Sequence, residues 1–235
     1  MHHEHTPHVE EHFTSSEVVT DIVIGMSDGL TVPFALAAGL SGAGGITTHM
    51  IVIAGLAEIA AGSIAMGLGG FLAGKTEVDH YNSELKREFW EVDHLPEREK
   101  QEVKEIFAEM GLSENTQELA LNEMIKDKQK WVDFMMKYEL GLEKPDEKRA
   151  TKSALNIGSS YIAGGLVPLI PYFFANTPRG GLMVSAIITL VCLFIFGYFK
   201  SKITGQPPIK GALRVALIGS IAAGAAFTIA TLISK

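Results

Sequence analysis

Residues 18–40 read VVTDIVIGMSDGLTVPFALAAGL, and this run decides the fold class of the chain. It is almost wholly apolar, and a helix needs about 20 such residues to cross the hydrocarbon core of a bilayer. Four more runs of comparable length follow at roughly 49–74, 154–175, 181–199 and 211–233. The sequence therefore predicts an all-α membrane protein with five transmembrane helices.

The third run is unusual because it contains Gly164, Gly165, Pro168 and Pro171. Proline removes a backbone donor and is the commonest cause of a bend in a helix. We expect this span to be kinked or locally unwound. Short linkers follow the first and third spans, so each of these spans is expected to form a tight antiparallel hairpin with the next.

Charge is segregated along the chain of 235 residues. Residues 75–152 hold 20 of the 27 acidic residues and 14 of the 20 Lys and Arg residues. A soluble globular protein with this distribution would expose bare apolar surface, so that class is excluded. The formal net charge of -7 argues against a nucleic-acid-binding protein, which needs a basic footprint. Cys192 is the only cysteine, which excludes a disulfide framework and a thiolate metal cluster.

These patterns divide the chain into four parts. They are an N-terminal tail at 1–17, two spans at 18–74, an acidic insert at 75–152 and three spans at 153–235. Glu, Lys, Leu and Met dominate the insert and predict three or four helices, the first continuing from span two. Helix ends are expected at Leu95-Pro96, Gly111 and Gly141, with Ser113 as an N-cap.

The distribution of Lys and Arg predicts the orientation in the membrane. The face that carries the N-terminus and the insert also carries the loop with Lys200, Lys202 and Lys210, whereas Arg179 and Lys235 lie on the other face. Basic residues close to the third span follow the same bias. We expect a cytosolic N-terminus and insert. The N-terminus lacks a basic segment followed by an apolar one, so no cleavable signal peptide is expected.

Ionisable residues inside spans are costly and indicate function. Span one contains Glu17, Asp21 and Asp28, whose spacings of four and seven put all three carboxylates on one helix face. Span two contains Glu58, and neither span has a Lys or Arg to pair with these acids. The missing positive charge is therefore a transported cation or a proton.

Met66 is the other candidate in span two. At the helical rise, Asp28 lies about 15 Å from the cytosolic start of span one and Met66 about 12 Å from the cytosolic end of span two. Both are expected near the bilayer midplane, where a carboxylate beside a thioether suits a borderline transition metal. A lone methionine is more often core filler or lipid-facing, and that alternative stays open for Met66.

The insert has its own candidate ligands at helical spacing. They form three groups, namely Glu88 with Glu91, Glu99 with Glu102 and Glu105, and Met135 and Met136 with Glu139. Three such helix faces meeting would build an oxygen-rich site with thioether contributions. The alternative is that these charges are solvated helix faces and the methionines fill a core.

A second motif favours an enzyme instead. Glu77–His80 and Glu91–His94 both read E-x-x-H, which di-iron carboxylate proteins use from two different helices. Here the copies lie 14 residues apart on one expected helix, so they do not converge on one metal. A membrane-bound di-iron carboxylate oxidase stays as the alternative function. The N-terminal histidines receive no role.

Two stretches carry a family resemblance. Residues 25–35 read GMSDGLTVPFA and residues 55–75 read GLAEIAAGSIAMGLGGFLAGK. Together with the acidic insert and three further spans, they resemble the vacuolar iron transporter family, in particular its plant members, over essentially the whole chain.

The resemblance implies a transporter, not an enzyme, in the vacuolar membrane, with a lumenal C-terminus. It implies proton-coupled antiport of ferrous iron from the cytosol into the vacuole, with no prosthetic group, by a homodimer whose path spans one and two form. Other divalent transition metals stay open as cargo. The implied path residues are Asp28, Met66, Glu17, Asp21 and Glu58. The implied cytosolic metal ligands are Glu88, Glu91, Glu99, Glu102, Met135, Met136 and Glu139.

Overall fold

The computed structural model describes residues 17–234. Over that range helices, joined by loops, are the only regular secondary structure. There are eight helices: α1 Glu17–Gly42, α2 Thr48–His94, α3 Pro96–Glu109, α4 Glu114–Met124, α5 Lys128–Tyr138, α6 Arg149–Phe174, α7 Pro178–Ile203 and α8 Pro208–Ile233. Five of them, α1, α2, α6, α7 and α8, are long and apolar enough to cross a membrane. The predicted all-α class with five spans is confirmed.

The chain forms two compact units. Residues 72–150 form one, called the insert unit below, and the other described residues form the membrane unit. Helix α2 is 47 residues long, more than twice the length of a span, so its C-terminal part belongs to the insert unit. The predicted continuation of span two into the insert is therefore confirmed.

Within the membrane unit, α6 lies between α1 and α2, and glycine permits the close approach. A Cβ atom on Gly25 would lie 2.2 Å from the Ile157 carbonyl oxygen, and one on Gly29 would lie 2.3 Å from that of Tyr161. Both pairs have the same offset in sequence, so α1 and α6 run parallel. Gly62 of α2 lies against Tyr161 of α6 and Gly67 lies against Ala154, so α2 and α6 run antiparallel. Glycines one turn apart thus serve helix packing within one chain.

Helix α6 corrects one expectation. Pro168 and Pro171 both lie inside it, yet the helix is unbroken from Arg149 to Phe174. Of the two expected outcomes, local unwinding is wrong and a kink stays a prediction. The prolines leave the carbonyls of Gly164 and Val167 without their intrahelical donors. The Ser185 hydroxyl of α7 donates to the nearby Pro168 carbonyl at 2.7 Å and ties this part of α6 to the neighbouring span. Helices α7 and α8 pack against each other and against α1, where Phe34, Ala38 and Ala223 are buried together.

The insert unit has a small apolar core of its own. The end of α2 packs with α3, α4 and α5 around a buried set: Tyr81, Val92, Val103, Phe107, Leu121, Trp131, Val132, Met135 and Met136. Helix α2 ends directly before Leu95 and α3 begins at Pro96. Gly111 and Gly141 have positive φ values of 84° and 64°, which glycine adopts without steric cost. The predicted helix ends and the Ser113 N-cap position are confirmed.

Candidate functional site

The membrane unit buries one of the predicted path acids beside a hydroxyl donor. Asp21 of α1 is 2% exposed, and the Ser153 hydroxyl of α6 donates to its Oδ1 at 2.9 Å. The bond forms because α1 and α6 are parallel and in close contact at this level. Glu17, one helical turn earlier, lies exposed at the start of α1.

A tyrosine of α6 links the acids of the first two spans. The hydroxyl of Tyr161 donates to Glu58 Oε1 of α2, and Tyr161 also lies close enough to Asp28 of α1 for electrostatic interaction. Tyr161 is buried, whereas Glu58 and Asp28 are half-buried. Glu58 Oε2 is buried without a hydrogen-bond partner among the described residues. Three helices thus surround a polar site that retains an unused carboxylate oxygen.

Met66 lies near the level of this site. Gly29 faces Tyr161, and Gly67 lies against Ala154 and Gly158, so Asp28 and Met66 are within about one turn of each other along α6. The Met66 side chain is half-buried. The similar depth expected for the two residues agrees with this register.

Sequence reasoning missed Ser153 and Tyr161. They are eight residues apart and therefore share one face of α6, which contains no acidic residue. Two hydroxyls on the face of a span that also carries glycine were a usable signal, but nothing in the sequence identified their partners.

The insert unit brings together three of its predicted ligands. Glu88 near the end of α2, Glu99 on α3 and Glu139 after α5 each place a carboxylate oxygen within 4.8 Å of the others. Glu88 and Glu99 are 2% and 1% exposed, whereas Glu139 is exposed. Glu88 and Glu99 each have a buried Oε2 without a hydrogen-bond partner in the described part of the chain. We call these three residues the carboxylate cluster.

Electrostatics make the cluster unfavourable without a cation or protons. Burial raises the pKa of Glu88 to about 8, and the negative charges of Glu139 and Glu99 add to the effect. Burial likewise raises the pKa of Glu99 to about 7, with Glu102 and Glu91 contributing. The pKa of Glu139 is also raised, first by burial and then by its acidic neighbours. A divalent cation with oxygen ligands would offset the repulsion.

The other predicted ligands of the insert surround the cluster or fill the core. Glu91 accepts from Arg87 at 3.2 Å, and Glu102 accepts from Arg98 at 2.9 Å, each one helical turn away. Both glutamates are half-buried and act electrostatically on the cluster. Met135 and Met136 are 0% and 1% exposed and belong to the apolar core of this unit.

The two E-x-x-H motifs do not build a second site. Both lie on α2, and 14 residues of helix separate them by about 21 Å. The His94 Nδ1 atom lies 2.8 Å from the Trp90 carbonyl oxygen, and the two rings stack with centroids 4.6 Å apart. His2, His3, His5, His8 and His12 lie outside the described residues.

Comparison with known proteins agrees with this architecture. Residues 19–231 match the VIT family. The chain belongs to the VIT family. It is similar to vacuolar iron transporter 1 of Eucalyptus grandis, at 54% identity over 223 residues, which cover 95% of this chain and 89% of that protein.

This VIT chain is also similar to relatives from two other organisms. Vacuolar iron transporter 1 of Oryza sativa subsp. japonica is 51% identical over 97% of this chain and 90% of its own length. Protein CCC1 of Saccharomyces cerevisiae is 40% identical over 89% of this chain and 67% of its own length. The relatives whose names state an activity are vacuolar iron transporters. They give no support to the alternative of a di-iron carboxylate oxidase.

Proposed function

We propose that this VIT protein is an antiporter that carries ferrous iron from the cytosol into the vacuole in exchange for protons. Iron transport at the vacuolar membrane rests on the family and on relatives named vacuolar iron transporters. The observation that carries a cation path is the polar site around Tyr161. It joins acids of two spans, and no Lys or Arg occurs in either span to neutralise them.

Each path residue has a role in the proposal. Glu17 and Asp21 attract the ion at the start of α1. Asp28 and Met66 bind it near the midplane, where the thioether favours iron over calcium or sodium. Glu58 supplies a carboxylate whose geometry Tyr161 fixes and whose second oxygen accepts a proton or contacts the ion. Ferrous iron is cargo here, so the protein is a transporter without a prosthetic group.

The insert unit is proposed to capture the ion before transport. Glu88, Glu99 and Glu139 form the centre of the site, and Glu91 and Glu102 add charge once their arginines move aside. Met135 and Met136 bias the site against magnesium and calcium because sulfur is a soft ligand. Manganese, cobalt and zinc fit the same ligand set, and we propose them as further cargo.

Proton coupling follows from competition at the carboxylates. A metal binds the deprotonated form, so protons arriving from an acidic lumen displace the ion from its ligands. The protons then return to the cytosol as the acids accept the next ion. This mechanism requires a cytosolic N-terminus and insert with a lumenal C-terminus, the orientation that the Lys and Arg bias favours.

A homodimer completes the proposal. Helix α2 exposes large apolar side chains along one span, among them Ile53 at 55%, Ile64 at 71% and Leu68 at 55%. A second copy would cover this surface and enclose a path formed by the first two spans. An Ile64→Cys variant in a Cys192→Ser background should cross-link to a dimer under mild oxidation, whereas a cysteine at Leu217 of α8 should not.

The experiment that tests the function is ferrous-iron uptake into sealed proteoliposomes with an imposed pH gradient. Uptake should rise when the vesicle interior is acidic and collapse when an ionophore dissipates the gradient. Protein-free vesicles with the same gradient control for leak. Uptake that ignores the gradient would contradict antiport and leave a uniporter.

A further inference from the structure

A basic cavity lies where α7 and α8 meet. Its volume is about 350 Å³, and its lining includes Lys200, Thr204, Gln206, Lys210 and Arg214. Both helices are membrane spans joined by a loop of only four residues. The cavity therefore lies at one surface of the bilayer, beside lipid headgroups.

The positive charge of this cavity has no acidic partner among the residues that the structure describes. Residues 153–235 contain no Asp or Glu at all, although the chain as a whole carries a net charge of -7. Most cations of the insert unit have an acidic neighbour, as Arg98 has Glu102. No such ion pair involves Lys200, Lys210 or Arg214 within residues 17–234, and Lys210 and Arg214 are exposed one turn apart on α8.

The backbone adds to the positive potential. Helix α8 begins at Pro208, and no side chain caps it, because its N-cap residue is Pro207. The first-turn N–H groups therefore point out of the helix end, where its dipole favours an anion. Gly211 lies directly against Ser201 of α7, where a Cβ atom would be 1.6 Å from the Ser201 hydroxyl oxygen. This close packing of the two helices fixes the floor of the cavity.

We propose that this cavity binds the phosphorylated headgroup of an anionic lipid, with phosphoinositides as the preferred class. Three cations and an uncapped helix end suit several phosphate charges better than the single one of phosphatidylserine. A cavity of this volume falls in the range of sites for a whole small ligand and exceeds what one phosphate group fills. Basic pockets at the ends of transmembrane helices recognise lipid headgroups by this chemistry. The site is independent of the iron path.

Native mass spectrometry of the full-length protein in neutral detergent tests the proposal. The probes are short-chain phosphatidylinositol bisphosphate, phosphatidylserine, soluble inositol trisphosphate and inorganic phosphate. We expect one phosphatidylinositol bisphosphate per chain, bound at least about tenfold more tightly than phosphatidylserine. Lys210→Gln combined with Arg214→Gln should weaken that binding about tenfold or more.

The matched control removes the same charge outside the cavity. The control variant combines Lys202→Gln with Arg179→Gln. Lys202 lies in the last turn of α7 but does not line the cavity, and Arg179 lies at the other end of α7. This double variant should bind the phosphoinositide within about twofold of the parent protein. Equal weakening in both double variants would overturn the proposal, because it would mean diffuse attraction. Binding of the soluble phosphates without the lipid would also overturn it, because the ligand would then not be a membrane component.

Discussion

The membrane unit and the insert unit both bury carboxylates, but they differ in what surrounds them. In the membrane unit a hydroxyl donates to each of two acids, Ser153 to Asp21 and Tyr161 to Glu58. In the insert unit, Glu88 and Glu99 face Glu139, and within the described residues no hydroxyl donates to either of them.

We propose that the difference separates two kinds of metal site. Hydroxyl donors stabilise and orient a carboxylate whether or not an ion is present, so the membrane acids are suited to repeated loading and release. Carboxylates that face one another repel, so the cluster is stable only with protons or a cation. We therefore expect the membrane site to govern passage and the cluster to govern capture.

The largest expected effect comes from Asp28. Asp28→Ala should abolish ferrous-iron uptake into proteoliposomes, because it removes the one acid near the middle of α1 while leaving the close glycine packing intact. Glu139→Ala in the cluster should slow uptake without stopping it. Asp79→Ala, an exposed acid paired with Lys75, is the matched control and should behave as the parent.

Either of two results would break the comparison. Normal uptake by a well-folded Asp28→Ala variant would remove the membrane site from the path. Complete loss in Glu139→Ala, with normal assembly in the membrane, would make the cluster part of the path itself.

A hydroxyl deletion tests the orienting role of α6. Tyr161→Phe should reduce the maximal uptake rate about tenfold, because a buried carboxylate that loses its donor costs about 1–3 kcal/mol. Tyr172→Phe is the control on the same helix. Its hydroxyl bonds the Ser41 hydroxyl at 2.9 Å, far along α6 from the acids, so only stability should change. Equal transport by both variants would show that the Glu58 bond is structural.

The carboxylate cluster should make the stability of the folded protein fall as pH rises, whereas a glutamate whose pKa is lowered by folding makes it rise. Burial raises the pKa of Glu88 to about 8 and that of Glu99 to about 7, so above about pH 4.5 the folded protein retains protons on both that the unfolded chain has lost. The ion-free protein should therefore lose stability as pH rises from about 4.5 to about 8. Ferrous iron competes with these protons, so its affinity for the full chain should rise at least about tenfold from pH 6 to 8, with proton release.

Calorimetry in buffers of different ionisation enthalpy measures that proton release. Glu88→Gln with Glu99→Gln should flatten the pH dependence, whereas Glu105→Gln, an exposed position on α3, should leave it unchanged. Iron binding that is equally tight across this range would mean that the cluster is already ionised before the metal arrives.

The smallest expected effect concerns the methionines. Met135→Leu with Met136→Leu conserves volume in the core and should cost less than about 1.5 kcal/mol of stability per site. Ferrous-iron affinity should fall a few fold while magnesium affinity stays constant, because only the soft ligands are lost. Met124→Leu, at the edge of the same core, is the control. An unchanged ratio of the two affinities would assign the methionines to packing alone.

The sequence was sufficient for features that depend on local pattern. Apolar length predicted the five spans, and Leu95-Pro96 and Gly111 predicted ends of insert helices, because these signals act within a few residues. Asp28 was identifiable because an acid in a span has few structural explanations.

Contacts between distant segments were beyond such reasoning. Helical spacing indicates which residues share a face of one helix, but it does not identify the helix that packs against that face. The Tyr161–Glu58 bond was therefore not predicted. For the same reason seven insert candidates could not be reduced to the three that meet. Pro168 and Pro171 did not unwind α6, because neighbouring spans such as α7, which donates to it from Ser185, hold the helix in place.

The glycine contacts described for α6 also indicate which of its neighbouring helices is held more firmly against it. Gly25 and Gly29 bring α1 against main-chain atoms of α6, which have no alternative rotamers. The contacts between α2 and α6 are mixed, because Gly67 lies against the Ala154 carbonyl oxygen whereas Gly55 and Gly165 lie against the side chains of Leu169 and Ile59. We therefore expect α1 and α6 to stay together if the spans move during transport. The Tyr161–Glu58 hydrogen bond is a contact that any displacement of α2 along α6 would have to break.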